Sequence, residues 1–204
     1  ALSKALTDGS LDMAAPVSAS TATGLNGKDG LTVKEGATTD KVLLAYNNGT
    51  DSLLSDEQAR KAFRYQIDAA GIASAQPDAA GALGGPISLL EPGYEDLTGL
   101  YPHDENQAGQ MFSYFGAQYL TTVNLVVPEE YRSLAETIKQ QIERQPRPTV
   151  NLEVLSDEDY AKRIKDGRWE LTVMSMDGTD DAGIFADPDS MFHYDHTEAQ
   201  QAYA

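Results

Sequence analysis

The stretch 53-LLSDEQARKAFRYQID-68 reads as one amphipathic helix. Ser55 has the chemistry of an N-cap, and Gln58 stands three residues later, so the two fit a capping box. Asp56 and Glu57 follow in the first turn, where the helix dipole favours negative charge. Ala59, Ala62, Phe63, Ile67 and Ala70 recur at helical spacing and make one apolar face. Glu57, Lys61, Arg64 and Asp68 lie on the other side. Arg64 and Asp68 stand at i,i+4, a pair worth about 0.3–0.5 kcal/mol. Gly71 can take the left-handed C′ conformation, which predicts the end of the helix there. Packing and capping account for nearly every residue, so the stretch by itself requires no ligand.

Its neighbours give it a place in a fold. Upstream, Lys41–Tyr46 ("KVLLAY") is a short apolar run that predicts a buried strand, closed by the turn residues Asn47-Asn48-Gly49. Residues 1–40 are dense in Gly, Ser, Thr and Asp and read as loop-rich. Downstream, residues 72–100 are rich in Gly, Pro and Ala and predict a long irregular connection, which is uncommon unless it serves a function. Asp104 can cap a helix whose apolar face is Ala108, Met111, Phe112 and Phe115, ended by Gly116. Tyr119–Val127 is β-rich; Pro128, Glu129 and Glu130 open the next helix, with Leu134, Ala135, Ile138 and Ile142 inward. Val150–Leu155 alternates as a half-buried strand. Ser156 caps a short helix that ends at Gly167, and Trp169–Met176 is another strand. Residues 119–176 thus read β-α-β-α-β, the pattern of a parallel or mixed sheet with helices packed on it.

Composition narrows the function. The 204 residues allow one sizeable α/β domain or two small ones, and 41% hydrophobic content predicts a real core. Fifteen basic against 32 acidic residues leave a net charge of −17. That excludes a basic stripe for nucleic acid and opposes docking on anionic lipid. The absence of Cys excludes disulfides, thiolate catalysis and Cys-based metal sites. No run approaches the roughly 18 apolar residues of a membrane span. The first residues, "ALSKALTDGS", lack the pattern of a secretory leader, and the missing Met predicts a processed or excised chain.

The order of these pieces carries a resemblance. A strand ending in Asn47, followed by Asp56, Arg60, Ala62, Ile67 and Asp68, resembles the D-x-x-x-R-x-A-x-x-x-x-I-D signature of bacterial extracellular solute-binding proteins of family 5, the oligopeptide- and dipeptide-binding group. "GGPIS" resembles the family's Gly-Pro loop, and "YPHDENQAGQMFSYFG" its next helix, with Met111 and Phe112 where Leu is usual. "YRSLAETIKQQI" and "DYAKRIKDGRWEL" resemble the two that follow, and "DGSLDMA" the Gly-x-x-Asp segment near the hinge. Three departures stand out: "ERQPRPTVN" at a junction, Met176 where Trp is frequent, and a longer "DGTDDAGIFADPD" loop. The resemblance covers nearly the whole chain but only part of a member, which is more than twice as long.

What the resemblance implies is an α/β fold: a mixed sheet with helices on its faces, one lobe of a periplasmic-binding-protein-like (type II) architecture. Residues 1–40 would be the hinge-proximal segment, and residues 41–204 the large C-terminal lobe with the connection at 72–100. The implied function is capture of peptides or similar small solutes outside the membrane. The implied partners are a second lobe of the same full-length chain and an ABC-transporter permease, without nucleic acid. The implied location is periplasmic or extracellular at the cell surface, with a lipoprotein anchor possible in the family. No catalytic residue, metal or cofactor is implied.

Ligands of open α/β sheets bind outside the carboxyl ends of the strands. Two such ends are placed by the sequence, at Val127–Tyr131 and at Met176–Asp180. If these strands run parallel, both ends share an edge. Asp177 or Asp180 could then accept hydrogen bonds from a ligand ammonium, as the resemblance implies for an Asp in this loop. Ungapped matching falls on Thr179, so both remain candidates, and a solvated acidic loop is the plainer alternative. Tyr131 and Met176 are candidate apolar walls, with ordinary core positions as the alternative. The run of Asp residues from Asp177 to Asp189 fails the calcium-loop template at Thr179 and Ala182. His193 and His196 could share a metal only on one helix, and they have no evident third partner. Asn48-Gly49-Thr50 fits a glycosylation sequon and, equally, a tight turn. None of the G-x-S-x-G, H-E-x-x-H, Walker or dinucleotide motifs is present. The rivals to a binding lobe are an acidic extracellular hydrolase and a calcium-dependent adhesion domain.

Overall fold

The structure is a computed structural model that describes residues 2–114, 119–178 and 182–203. In chain order its elements are α1 (Leu2–Thr7), α2 (Ala19–Leu25), β1 (Lys41–Tyr46), α3 (Glu57–Gln66), α4 (Ala69–Ser74), α5 (Glu105–Tyr114), β2 (Thr122–Pro128), α6 (Arg132–Ile142), β3 (Thr149–Leu155), α7 (Asp157–Lys165), β4 (Leu171–Met176) and α8 (Thr197–Tyr203). Single 3-10 turns lie at Leu53–Ser55, Glu129–Tyr131 and Ala182–Phe185. No helix among the described residues is long and apolar enough to cross a membrane.

The chain divides into two compact units. The smaller comprises residues 1–38 and 70–82. Its loop-rich composition hides two short helices: Ser18 caps α2 by accepting from the Thr21 amide, and Leu25 is buried. The Asp78 carboxylate accepts from the Ala19 amide (2.5 Å), tying the two segments of this unit together.

The larger unit, residues 39–69 and 83–204, holds the sheet. Strand order is β1-β4-β2-β3. β2 runs parallel to β3 and to β4, with Leu125 opposite Leu171 and Val126 opposite Thr172. β1 is antiparallel to β4, from Lys41 opposite Met176 to Tyr46 opposite Leu171. The sheet is therefore mixed, and the expected parallel relation of the strands at 119–127 and 169–176 is present. From β2 the chain crosses outward through α6 to β3, then back past β2 through α7 to β4. Right-handed crossovers in opposite directions place α6 and α7 on opposite faces. Val126 accordingly packs with Tyr160 and Ile164 of α7. Beside the sheet, α3 packs on α5: Phe63 meets Phe112 edge-on at 5.2 Å, and both rings are fully buried.

The residues of the quoted stretch form two elements rather than one. Ser55 closes the 3-10 turn, its hydroxyl donating to the Ser52 carbonyl (2.8 Å). The N-cap passes to Asp56, whose carboxylate accepts from the Gln58 amide (2.7 Å). The helix stops at Ile67 (φ −87°, ψ 119°), four residues before Gly71, because α6 intervenes. The Gln141 side chain accepts the Asp68 amide (2.8 Å), which a continuing helix would have kept. Gln66 donates to the Gln141 carbonyl (2.6 Å), and Gln145, from the unusual "ERQPRP" junction, donates to Gln66 (2.9 Å) and to the Glu105 carbonyl (2.8 Å). Arg64, expected to pair with Asp68, donates to the Gly84 carbonyl (2.7 Å) and lies over the Tyr101 ring. The other boundaries follow the sequence closely. Asp104 accepts from the Asn106 and Gln107 amides, and Ser156 from the Asp159 amide. Gly167 takes φ +65° after α7. Phe115 and Gly116 lie outside the described residues.

Candidate functional site

The carboxyl ends of β2, β3 and β4 point the same way, so the turns that leave them gather on one edge of the sheet. β2 and β4 are neighbours whose carboxyl ends share this edge, the position at which ligands are received in open sheets of this kind. Tyr131 and Met176, the candidate walls, stand at the strand ends on this edge. Tyr131 ends the 3-10 turn after β2, half-buried at the head of α6. Met176 is the last residue of β4 and is half-buried. Asp177 follows it and is exposed. Asp180 lies outside the described residues.

Met176 belongs to a hydrophobic cluster on the α7 side of the sheet. A buried cluster of Ala45, Val126, Trp169 and Phe192 is overlaid by partly buried Leu155, Tyr160, Met174, Met176, Phe185 and Met191. Phe185 stacks on Phe192 at 5.1 Å. Met side chains are flexible and polarizable, and three of them, Met174, Met176 and Met191, pack here. Tyr160 is the polar member: its hydroxyl shares a hydrogen bond with Thr172 (2.9 Å). Burial pushes its phenol up, the bond to Thr172 opposes this, and nearby Tyr131 and Glu130 push it further up. Exposed carboxylates follow the two strand ends, Glu130 after β2 and Asp177 after β4. Glu129 is held by Arg132 (2.7 Å), which lowers its carboxyl.

Beneath the loop that leaves β4 lies a feature the sequence reading missed. The Lys41 ammonium meets both oxygens of Glu91 (2.7 and 2.9 Å), and Glu91 also accepts from the Ser88 amide (2.5 Å). Burial pushes the Glu91 carboxyl up, but the hydrogen bonds from Lys41 and Ser88 overcome it and hold the group at about 2. Lys41 reads in sequence as the head of an apolar strand and Glu91 as part of a loop, so no local signal pairs them.

The opposite edge of the sheet is polar. Asn47 donates to the Gly167 and Trp169 carbonyls (3.1 and 2.9 Å) and accepts from the Gly49 amide (2.9 Å). Asn48 donates to the Tyr46 and Phe192 carbonyls (3.0 and 2.9 Å), so its sequon nitrogen is engaged within a turn. A cavity of about 640 Å³ lies here, lined by Asn47, Thr50, Arg163, Arg168, Glu170 and His193 among others. Burial raises the Glu170 carboxyl, partly offset by the Asn124 amide that donates to it (2.6 Å). His193 and His196 do not share a helix: His193 has φ +52°, and α8 begins at Thr197. Among the described residues no group of three His, Asp or Glu side chains could hold a metal ion.

These parts define an α/β fold: a four-stranded mixed sheet with helices packed on it. Residues 1–201 match the model of bacterial extracellular solute-binding proteins, family 5 Middle, and the chain belongs to this family, which is one of binding proteins and not of enzymes. No curated protein matches the sequence. Among solved structures it is similar to the oligopeptide-binding protein AppA of Bacillus subtilis, solved with a nonapeptide (TM-score 0.72, 16% identity, 98% of this chain, 45% of AppA). It is also similar to NikA of Brucella suis, solved with Fe(III)-EDTA (0.70, 14%, 98% of this chain, 49% of NikA). A third similar structure is the murein tripeptide binding protein MppA of Escherichia coli (0.65, 13%, 79% of this chain, 35% of MppA). The chain thus spans less than half the length of these proteins.

Proposed function

We propose that the chain is the ligand-binding lobe of an ABC-transporter solute-binding protein that captures peptides outside the membrane and delivers them to a permease. Residues 41–204 act as the large lobe, and residues 1–40 lie toward the hinge. What supports this most directly is half-buried Met176 with the partly buried Met and aromatic side chains around it, taken as a floor, and exposed Asp177 and Glu130 at the carboxyl ends of β4 and β2. Apolar side chains of a peptide suit the floor, with Met176 and Tyr131 as walls. A peptide ammonium suits Asp177, or Asp180 by family resemblance. The exposed carboxylates and the net charge of −17 favour a cationic group over an anionic chelate such as Fe(III)-EDTA. AppA and MppA, the peptide binders among the similar structures, point the same way.

Two-lobed binding proteins close on their ligand and bury most of its surface. On these 204 residues alone a peptide stays wet on one side. Loss of about 4 kcal/mol of contact weakens binding about a thousandfold. Calorimetry tests this. The 204-residue chain should bind peptide in the millimolar range or not detectably. The whole protein should bind it well, and Asp177→Ala or Asp180→Ala should then weaken it. Micromolar binding by the 204 residues alone would show a complete site and overturn the lobe reading. Failure of the whole protein to bind any peptide would overturn the choice of ligand.

A further inference from the structure

The Lys41–Glu91 pair is enclosed, with side chains 0% and 5% exposed. By contrast, the Arg163–Glu153 pair (2.9 Å) leaves 24% and 29% exposed. Enclosing two charges gains little stability over an apolar pair of the same volume, because desolvation offsets their attraction. What such a pair does supply is placement: both Glu91 oxygens fork around one ammonium, and neither enclosed charge can leave the other without a large cost.

Three chain segments meet at this fork. Lys41 heads β1 and stands opposite Met176, so their side chains share a face of the sheet. Glu91 belongs to the irregular connection after residue 83. Gly178, two residues beyond Met176, is buried on top of both. A Cβ on Gly178 would meet the Thr39 carbonyl oxygen at 2.5 Å, and Glu91 Oε2 and Lys41 Nζ each at 2.9 Å. The backbone that leaves β4 thus rests on the ion pair, and only Gly fits there.

We propose that Lys41, Glu91 and Gly178 form a positioning lock: the ion pair is the seat on which the backbone after β4 rests, and it fixes the height and direction at which Asp177 is presented to ligand. Lys41 and Glu91 act through Asp177 and do not themselves touch ligand. The lock rests on the reading above that Asp177 faces the ligand.

The test separates positioning from stability. Methyl-labelled methionine reports on five sites, among them Met176 beside the lock and Met111 in the α3–α5 core. In Lys41→Leu/Glu91→Leu the melting temperature should stay within a few degrees and the Met111 signal should not move, while the Met176 signal shifts and broadens. In the whole protein, penta-alanine should lose about tenfold in affinity. Its advantage over N-acetylated penta-alanine should vanish, since a displaced Asp177 no longer meets the ammonium. Gly178→Ala, with the pair intact, should reproduce both changes. If the double variant keeps the Met176 signal unchanged, or if all the methionine signals move together, the pair is only part of the packing and the lock is overturned. If the wild-type whole protein shows no preference for the free amine, the ammonium role of Asp177 falls, while the Met176 signal still decides whether the pair seats the loop.

Discussion

The two edges of the sheet use polar side chains in opposite ways. At the amino end of β4, Asn47 and Asn48 are committed to the chain's own carbonyls and bind β1 to the turns at Gly167 and Phe192. The first edge is tied to itself by these bonds, with the cavity of about 640 Å³ beside them. At the second, the carboxyl edge, among the described residues, Asp177 and Glu130 are exposed, and the enclosed Lys41–Glu91 pair lies close to the backbone that leaves β4. Within one sheet, polar groups that hold the fold together are told apart from exposed ones by where their hydrogen bonds go.

Breaking the ion pair should have the largest effect on stability. Lys41→Leu alone leaves the Glu91 carboxylate enclosed without its cation, and should cost about 3–5 kcal/mol. In a domain of this size that lowers the melting temperature by roughly 10 °C. Asn47→Ala comes next. It removes three hydrogen bonds at the first edge and should cost roughly 2–3 kcal/mol, while leaving peptide affinity of the whole protein unchanged. A parallel loss of affinity would erase the distinction between the edges.

Acid should separate the edges more gently, because their carboxylates shift in opposite directions. Glu91 is held at about 2, below its ordinary 4.5, so its contribution is complete above about pH 4.5 and is lost as the pH falls toward 2. Denaturation curves of the wild type and Glu91→Gln should therefore converge across that window. Glu170 is raised, so its ionisation opposes folding. The penalty is absent below the ordinary carboxyl value and grows as the pH rises through and beyond it. Glu170→Gln should stabilise at neutral pH by less than about 1 kcal/mol, since the group is half-buried and water screens it. Thermal melts at pH 4 and pH 7 check the sign.

Features set by near neighbours were legible in the sequence, and those that join distant segments were not. Alternation and turn residues placed β1 to the residue and the caps at Asp104 and Ser156, because those signals act over three or four neighbours. The same locality explains the misplaced ends of α3. Gln141, more than seventy residues downstream, takes the Asp68 amide, and nothing between Leu53 and Gly71 records it. Arg60 shows the limit from another side. Its place in the family pattern was visible, but not its task of donating to the Leu54 and Ser55 carbonyls that end the 3-10 turn (2.8 Å each). At the carboxyl edge, Tyr131, Met176 and Asp177 follow from where strands end. The Lys41–Glu91 pair does not, because it joins a strand to a loop that has no periodicity of its own.

The antiparallel placement of β1 against β4 also has a consequence for synthesis. Met176 follows its partner Lys41 by roughly 135 residues. At about 5–20 residues per second, the apolar segment from Lys41 to Tyr46 emerges on the order of ten seconds before its neighbour exists. For that interval it is a short, β-prone run with open edges, the kind of segment that pairs with other chains. Asp40 and Lys41 stand at its head and Asn47-Asn48-Gly49 at its tail, the flanking polar residues that restrain such pairing. The late arrival of β4 thus makes the nascent chain's exposure to self-association a matter of timing, set by the order in which the sheet's strands are encoded.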